Sequence, residues 1–275
     1  MQRPLLQNRI KGIQKADGRA FVWTNYRHWR PRIFKCAAPY FDRAVLEWLK
    51  VNPPRYFVDD ILDWLDDAIW HVKRQRVNMK TVLADALTQE FDFIRGFHGC
   101  RAPSTESYRT QGILPSDSTW LKAEAVRLFG DSNHIQEVFA ELSRKGDDYE
   151  GFNRGKTYFC LHLKDFMEGC GHYLLYGSEY LLCVAVRIGH KETLRKNGRA
   201  TVIECNVPIS DIPRDYIEEI CGMILCEIAS KFCTGESEFD GGCFHIKVPL
   251  QPQNIVTFHH PTQIPNPHNF HIPED

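Results

Sequence analysis

A histidine followed by a glycine stands at the end of an apolar, strand-like run at residues 93–99. Because glycine has no Cβ, its backbone amide groups can approach a flat polar ligand closely, and His98 adds a side-chain donor beside them. The turn signal Gln111-Gly112-Ile113 closes the segment. We predict that a group such as a carboxamide binds here. A histidine at a strand end is more often structural, so the prediction depends on the motifs that follow.

Two later stretches supply further strands. Residues 155–159, Gly-Lys-Thr-Tyr-Phe, place Tyr158 on a short strand. Residues 178–189 form an apolar run that ends in Gly189, and this pattern predicts a buried strand. With the strand that carries His98, they form an ordered set of three short motifs.

This ordered set resembles the catalytic domain of the ADP-ribosyltransferase superfamily, in the branch of the poly(ADP-ribose) polymerases and diphtheria toxin. Phe97-His98-Gly99-Cys100 with the turn at Gly112 is similar to the first strand of that branch. Residues 155–159 are similar to its Gly-x-Tyr-Phe strand, and residues 181–189 to its third strand. The resemblance implies an α+β fold, with an ADP-ribosyltransferase-like split β-sheet core and an N-terminal helical lobe.

The resemblance also implies that NAD+ binds as a co-substrate between His98 and Tyr158. His98 would hydrogen-bond the adenosine ribose, the Gly99 backbone N–H and C=O would hold the nicotinamide carboxamide, and Tyr158 would stack on the nicotinamide ring. The family has a second aromatic residue where this chain has Gly169, so we expect Phe166 or Tyr173 to replace it.

Cleavage of the glycosidic bond of NAD+ leaves an oxocarbenium-like ribose, which a nearby negative charge stabilises. The family places a glutamate on a late strand for this purpose, but the matching strand, residues 243–249, contains none. Our candidates are Glu238 first, Glu179 second and His245 third. Relatives that lack the glutamate transfer single ADP-ribose units, so we predict mono-ADP-ribosylation.

The N-terminal region alternates cations with aromatic residues between Arg19 and Arg32. One interpretation is a nucleic-acid-binding surface, in which bases stack on aromatic rings and cations contact phosphates. The residues assigned to it are Arg27, Trp29, Arg30 and Arg32. The alternative is an arm whose aromatic residues pack on the body of the protein while its arginines stay solvated.

Composition limits the class of protein. The net charge is −1, so no overall basic field favours nucleic acid, and any such contact must be local. No apolar run is long enough to span a membrane and no signal peptide is evident, so we expect a cytoplasmic protein without membrane contact. The ten cysteines stand singly and are expected to be reduced. Cys160-x-His162 and Cys170-x-His172 only approach metal-binding spacing, and we expect no metal site.

The remaining patterns predict the elements that position these residues. They predict helices at residues 39–49, 57–72, 80–90, 121–129, 135–142 and 214–232, strands at 200–208, 243–249 and 256–258, and a polar lid loop at 145–151. We divide the chain into an N-terminal arm and helical lobe (1–90), a catalytic core (91–261) and a tail rich in proline and histidine (262–275).

The predicted function is NAD+-dependent mono-ADP-ribosylation by an intracellular toxin or defence effector. The expected acceptor is a nucleic acid, with mRNA as one candidate, and an antitoxin or inhibitor protein is an expected partner. Three alternatives stay open: a protein acceptor, a non-catalytic module that binds NAD+ or ADP-ribose, and an RNA 2′-phosphotransferase-like enzyme. Arg95 and Arg101 give the last of these partial support.

Overall fold

The computed structural model describes residues 18–144, 155–236 and 241–265, and within them the chain forms a mixed α+β fold around one open sheet. The strands are β1 (Ala20–Phe21), β2 (Phe93–Ala102), β3 (Thr157–Cys160), β4 (Arg199–Pro208), β5 (Cys243–Ile246) and β6 (Ile255–His259). Their order is β5-β3-β2-β4-β6, and all of these neighbours are antiparallel. The short β1 pairs in parallel with the start of β2.

The predicted strand at His98 is confirmed, but it does not end at Gly99. β2 continues to Ala102 because β4 pairs with it along its full length, from Phe93 opposite Pro208 to Ala102 opposite Arg199. In contrast, β2 and β3 are paired at a single position, Phe97 opposite Cys160. The sheet is therefore continuous on the β4 side of β2 and interrupted on the β3 side.

Between residue 18 and β2 the structure describes four helices. They are α1 (Tyr26–Ala37), α2 (Arg43–Val51), α3 (Asp63–Lys73) and α4 (Met79–Glu90). The Asp42 carboxylate caps α2 by accepting from the backbone N–H groups of Ala44 and Val45, and Asn78 caps α4 through Thr81.

The prediction of a helix from residue 57 is wrong at its start, since α3 begins at Asp63. Two apolar residues of the expected stripe, Val58 and Ile61, are exposed, and the Trp64 indole N–H donates to the Val58 carbonyl at 2.9 Å. This bond spans residues 58–62, which are irregular and precede the helix.

After β2, the described residues form eight helices. They are α5 (Glu106–Gln111), α6 (Ser118–Phe129), α7 (Asn133–Arg144), α8 (Asp165–Glu168), α9 (Gly171–Tyr176), α10 (Glu179–Arg187), α11 (Lys191–Lys196) and α12 (Arg214–Thr234). The helices predicted within residues 121–142 and 214–232 are confirmed. No helix in the described parts of the chain combines the length and apolar character that crossing a membrane requires.

The strand predicted at residues 181–189 is wrong, because this segment is helix α10. Its buried residues Tyr180, Leu181, Val184 and Ala185 recur at helical spacing, whereas Val186 is exposed. They pack in a cluster with α6 and α7 that is separate from the sheet. A short, uniformly apolar run fits either element, and here packing against two amphipathic helices selects the helix.

The main hydrophobic core joins the N-terminal helices to the sheet. One cluster contains Trp29 of α1, Leu87 of α4, Ile94 of β2, Phe244 of β5 and Ile224 of α12. The region assigned to an N-terminal lobe and the region assigned to the core therefore share one set of packed side chains. The predicted lid at residues 145–151 and the tail beyond residue 265 lie outside the described residues.

Candidate functional site

A cavity of about 1020 Å³ opens beside β2 and β3. All five residues predicted to bind the cofactor line it, namely His98, Gly99, Tyr158, Phe166 and Tyr173. Its volume is at the upper end of the roughly 300–1,000 Å³ that is usual for small-molecule pockets. The walls come from β2, β3, α6 and the segment from α8 to α10.

Gly99 and Tyr158 both reach this cavity because they lie on the same face of the sheet. Antiparallel pairing of Phe97 with Cys160 would place Gly99 opposite Tyr158, two residues further along. The paired ladder does not extend to these two positions, and both residues line the cavity. A glycine backbone and an aromatic ring thus face one opening.

His98 is fixed by a bond to the neighbouring strand. Its Nδ1 lies 2.9 Å from the Tyr158 carbonyl oxygen, which can only accept, so Nδ1 carries the proton and donates. Burial lowers the pKa of His98 below its usual value. The ring is therefore neutral near pH 7, and Nε2 is its acceptor.

Phe166 is buried directly against Gly99. A Cβ at position 99 would lie 2.8 Å from Cδ1 of the Phe166 ring and would overlap Cε1. The glycine is therefore required for this packing, in addition to any role towards a ligand. Gly112 has a similar constraint: its φ is +78°, and a Cβ there would overlap the Leu250 carbonyl.

Three carboxylates are present among the described residues that line the cavity: Asp117, Glu124 and Glu179. Asp117 caps α6 by accepting from two backbone N–H groups, and Glu124 is paired with Arg127. Glu179, the first residue of α10, lies 3.2 Å from Nε2 of His172 and also contacts the Tyr173 hydroxyl.

Glu179 is therefore the carboxylate of this wall that is held by a cavity side chain, Tyr173, and by His172 beside it. Burial raises the pKa of the Tyr173 phenol, and the negative charge of Glu179 raises it further. Tyr173 consequently stays protonated and can donate to the carboxylate. Glu238, our first candidate from the sequence, lies outside the described residues.

His245 is not among the residues that line the cavity, and its assignment as a replacement for the glutamate stays a prediction. It is 4 % exposed and packs between Tyr158 and Tyr216, with ring centroids 5.4 and 4.6 Å away. Burial lowers the pKa of His245, and the charges of nearby lysines lower it further. His245 is therefore a neutral, buried residue beside Tyr158, because β3 and β5 pair these two positions and place them on the same face of the sheet.

Two of the described lining residues, Arg101 and Lys156, are cations. Arg101 donates to the Leu174 carbonyl at 3.1 Å, which ties β2 to α9. Arg95 does not contribute to the cavity. It is buried in an ion pair with Glu204 and donates to Asn206 at 2.9 Å.

Three cysteine thiols that are distant in the sequence converge on the same wall. Cys160 ends β3, Cys243 opens β5 directly opposite it, and Cys170 precedes α9. Their sulfur atoms all lie within 4.8 Å of one another. Hydrogen bonds from the thiols of Cys160 and Cys243 lower the pKa of Cys170.

The nucleic-acid-binding assignment needs a correction at Trp29. This residue is fully buried in the core, and its indole N–H donates to the Trp23 carbonyl at 2.9 Å, so no base can stack on it. Arg27 and Arg30 are exposed on α1, while Arg32 is half-buried and donates to the Gly18 carbonyl. Of the four residues assigned to this surface, Trp29 belongs to the core, and the three arginines are the ones that reach the surface.

Comparisons of the chain with protein-family models, with curated proteins and with solved structures gave no match.

Proposed function

We propose that this protein is an NAD+-dependent mono-ADP-ribosyltransferase with the split sheet of the ADP-ribosyltransferase superfamily. The observation that carries the proposal is the interrupted ladder between β2 and β3, where Gly99 and Tyr158 line one cavity. His98, Phe166, Tyr173 and a carboxylate, Glu179, line the same cavity. Tyr158, Phe166 and Tyr173 give the cavity three aromatic rings, which suit the binding of a flat heterocycle.

In this proposal the nicotinamide lies against Tyr158, and its carboxamide pairs with the Gly99 backbone. The adenosine ribose lies beside His98. Because Nδ1 of His98 donates to the Tyr158 carbonyl, Nε2 can accept a hydrogen bond from a ribose hydroxyl. Lys156 supplies positive charge for the pyrophosphate.

Glu179 provides the negative charge that the reaction needs. The glycosidic C–N bond breaks, its electron pair leaves with neutral nicotinamide, and positive charge develops on the ribose. The carboxylate stabilises this charge in a partly enclosed site, where electrostatic interactions are stronger than in water. The acceptor then bonds to the ribose C1′ and loses a proton, giving the ADP-ribosylated product.

For the acceptor we propose a nucleic acid, with RNA as the first class to test, and for the biological role an intracellular toxin or defence effector. The support is limited to the exposed cations Arg27 and Arg30 on α1, which can contact phosphates. An inhibitor or antitoxin protein is the partner that such a role implies.

The experiment is incubation of the purified protein with NAD+ labelled in its adenylate, in the presence of RNA, DNA and protein pools that are then separated. We expect label in RNA together with released nicotinamide. Label in protein alone would replace the nucleic-acid acceptor with a protein acceptor. Nucleotide binding without nicotinamide release would identify a non-catalytic module and contradict the proposed reaction.

The phosphotransferase-like alternative loses part of its support. It needs several cations to hold a phosphate, but Arg95 is buried in its pair with Glu204 and both terminal nitrogens of Arg101 donate to backbone carbonyls.

A further inference from the structure

We propose that Cys160, Cys170 and Cys243 together bind one zinc ion at the wall of the cavity. The three sulfur atoms lie within 4.8 Å of one another, and those of Cys160 and Cys243 are 3.4 Å apart. Around a tetrahedral zinc ion with Zn–S bonds of about 2.3 Å, sulfur atoms are separated by about 3.8 Å. Small side-chain rotations would close this geometry.

Separate elements bring these ligands together. The antiparallel register of β3 and β5 sets Cys160 directly opposite Cys243, so both side chains lie on the same face of the sheet. The backbone N–H of Leu161 donates to the Gly242 carbonyl at 2.7 Å and fixes this strand end. Cys170 lies just before α9, and its backbone N–H donates to the Asp165 carbonyl at 2.8 Å.

The chemistry of the donors selects the metal. Three thiolates suit a soft or borderline ion such as zinc much better than magnesium or calcium, which prefer oxygen ligands. Each cysteine that binds releases its proton to solvent. The cluster found in the described residues contains three ligands, so the fourth position is left to water or to a molecule in the cavity, which all three cysteines line.

Zinc at this position would connect the segment that contains α8 to the sheet. That segment carries Phe166, whose ring packs on Gly99. The metal would therefore hold one wall of the cavity in place and make the chain more resistant to unfolding. This inference reverses our expectation from the sequence, and it does not depend on the NAD+ proposal.

The test is the metal content of the full chain, purified under reducing conditions without a histidine tag and measured by elemental mass spectrometry. We expect about one zinc per chain. The variants Cys243→Ser and Cys170→Ser should lose most of this zinc, and Cys36→Ser, which changes a cysteine on α1, should retain it. Reconstitution with cobalt(II) should give a thiolate-to-metal charge-transfer band that Cys243→Ser weakens.

A second measurement keeps the proposal falsifiable if a variant does not fold. Cys243 is exposed, so without a bound metal an alkylating reagent would reach its thiol. In the wild-type protein the zinc should protect this thiol until a chelator removes the metal. The chelator should also lower the melting temperature. Zinc at background level in the wild type, zinc retained in both cluster variants, or a disulfide between Cys160 and Cys243 without bound metal would overturn the proposal. None of these readouts requires NAD+, so their failure is distinguishable from failure of the proposed reaction.

Discussion

At the scale of single residues, two constraints act on Gly99: the proposed contact with a ligand and the packing of Phe166 against it. The steric constraint from Phe166 can be measured directly. A Cβ at position 99 would overlap the Phe166 ring, whereas a Cβ at Gly169 would meet its nearest neighbour at 3.9 Å. We expect Gly99→Ala to lower the free energy of unfolding by about 1–3 kcal/mol, as overpacking does.

Urea denaturation of Gly99→Ala and of the control Gly169→Ala would measure this effect. Combining Gly99→Ala with Phe166→Leu should recover part of the loss, because the smaller side chain makes room for the new methyl group. Equal destabilisation by the two alanine substitutions would show that Phe166 does not pack on Gly99 as described.

His98 gives NAD+ binding a pH dependence of known sign. Burial lowers its pKa, so the ring is neutral above about pH 6.5, the ordinary value for histidine. As the pH falls through the lowered pKa, Nε2 gains a proton and can no longer accept from ribose. The dissociation constant for NAD+ should therefore rise at acidic pH and be constant from neutral to mildly alkaline pH.

Isothermal titration calorimetry across this pH range would measure the effect. His98→Gln, which keeps a donor for the Tyr158 carbonyl but does not titrate, should flatten the profile. The exposed His134 offers a matched control, His134→Gln, which should leave the wild-type profile unchanged. A profile with no acidic decline in the wild type would contradict the assigned role of Nε2.

Glu179 should affect turnover more than substrate binding. Glu179→Gln keeps the size of the side chain and one acceptor oxygen but removes the negative charge. We therefore expect kcat for nicotinamide release to fall about 10²–10³-fold with little change in KM. The control Glu192→Gln changes an exposed glutamate outside the cavity and should behave as wild type. If Glu179→Gln keeps full kcat, the charge must come from another residue, with Glu238 next to be tested.

At the scale of elements, α10 is where the sequence and the structure differ most. In a strand, Val184 and Val186 would point to the same face, but in the helix Val184 is buried and Val186 is 56 % exposed. We expect Val184→Asp to lower the free energy of unfolding by about 3 kcal/mol or more, because it buries a charge, and Val186→Asp to be nearly neutral.

Thermal and chemical denaturation of these two variants would separate the alternatives. Similar destabilisation by both aspartate substitutions would support a strand at this segment and contradict its assignment as a helix. The result also bears on the site, since Glu179 is the first residue of this helix and its position depends on α10 packing against α6 and α7.

The elements that local pattern determines could be predicted from the sequence. The apolar runs and the placement of His98 and Tyr158 predict β2 and β3, and a stretch rich in Ile, Cys and Met predicts α12. Trp29, Ile33 and Ala37 also recur at helical spacing and are all buried, so the burial of Trp29 had a signal that the alternation of cations and aromatics obscured.

Features that depend on packing between distant segments could not be predicted. The thiol cluster exists because β3 and β5 pair in one register and α9 returns beside them, and neither fact is local. Glu179 reaches the cavity because residues 179–187 pack as a helix rather than as a strand. The segment before α3 includes a side-chain hydrogen bond from Trp64 to Val58 that the apolar pattern does not indicate.

At the scale of the whole molecule, one core connects the N-terminal helices to the sheet, while a second cluster supports the cavity wall opposite β2 and β3. The cavity thus lies between a wall built by the sheet and a wall built by helices. Such an arrangement can hold a ligand between rigid surfaces, and pre-organisation of this kind reduces the entropic cost of binding.

The most direct measurement is nicotinamide release from NAD+ by the purified protein and by three variants that are shown to be folded. We predict release by the wild type, its loss in His98→Ala and Tyr158→Ala, and its retention in Tyr56→Ala, which changes a tyrosine that is 66 % exposed and outside the cavity. Release that is unchanged in His98→Ala and Tyr158→Ala, or no release by the wild type with any acceptor pool, would contradict the assignment of this cavity as the site of NAD+ cleavage.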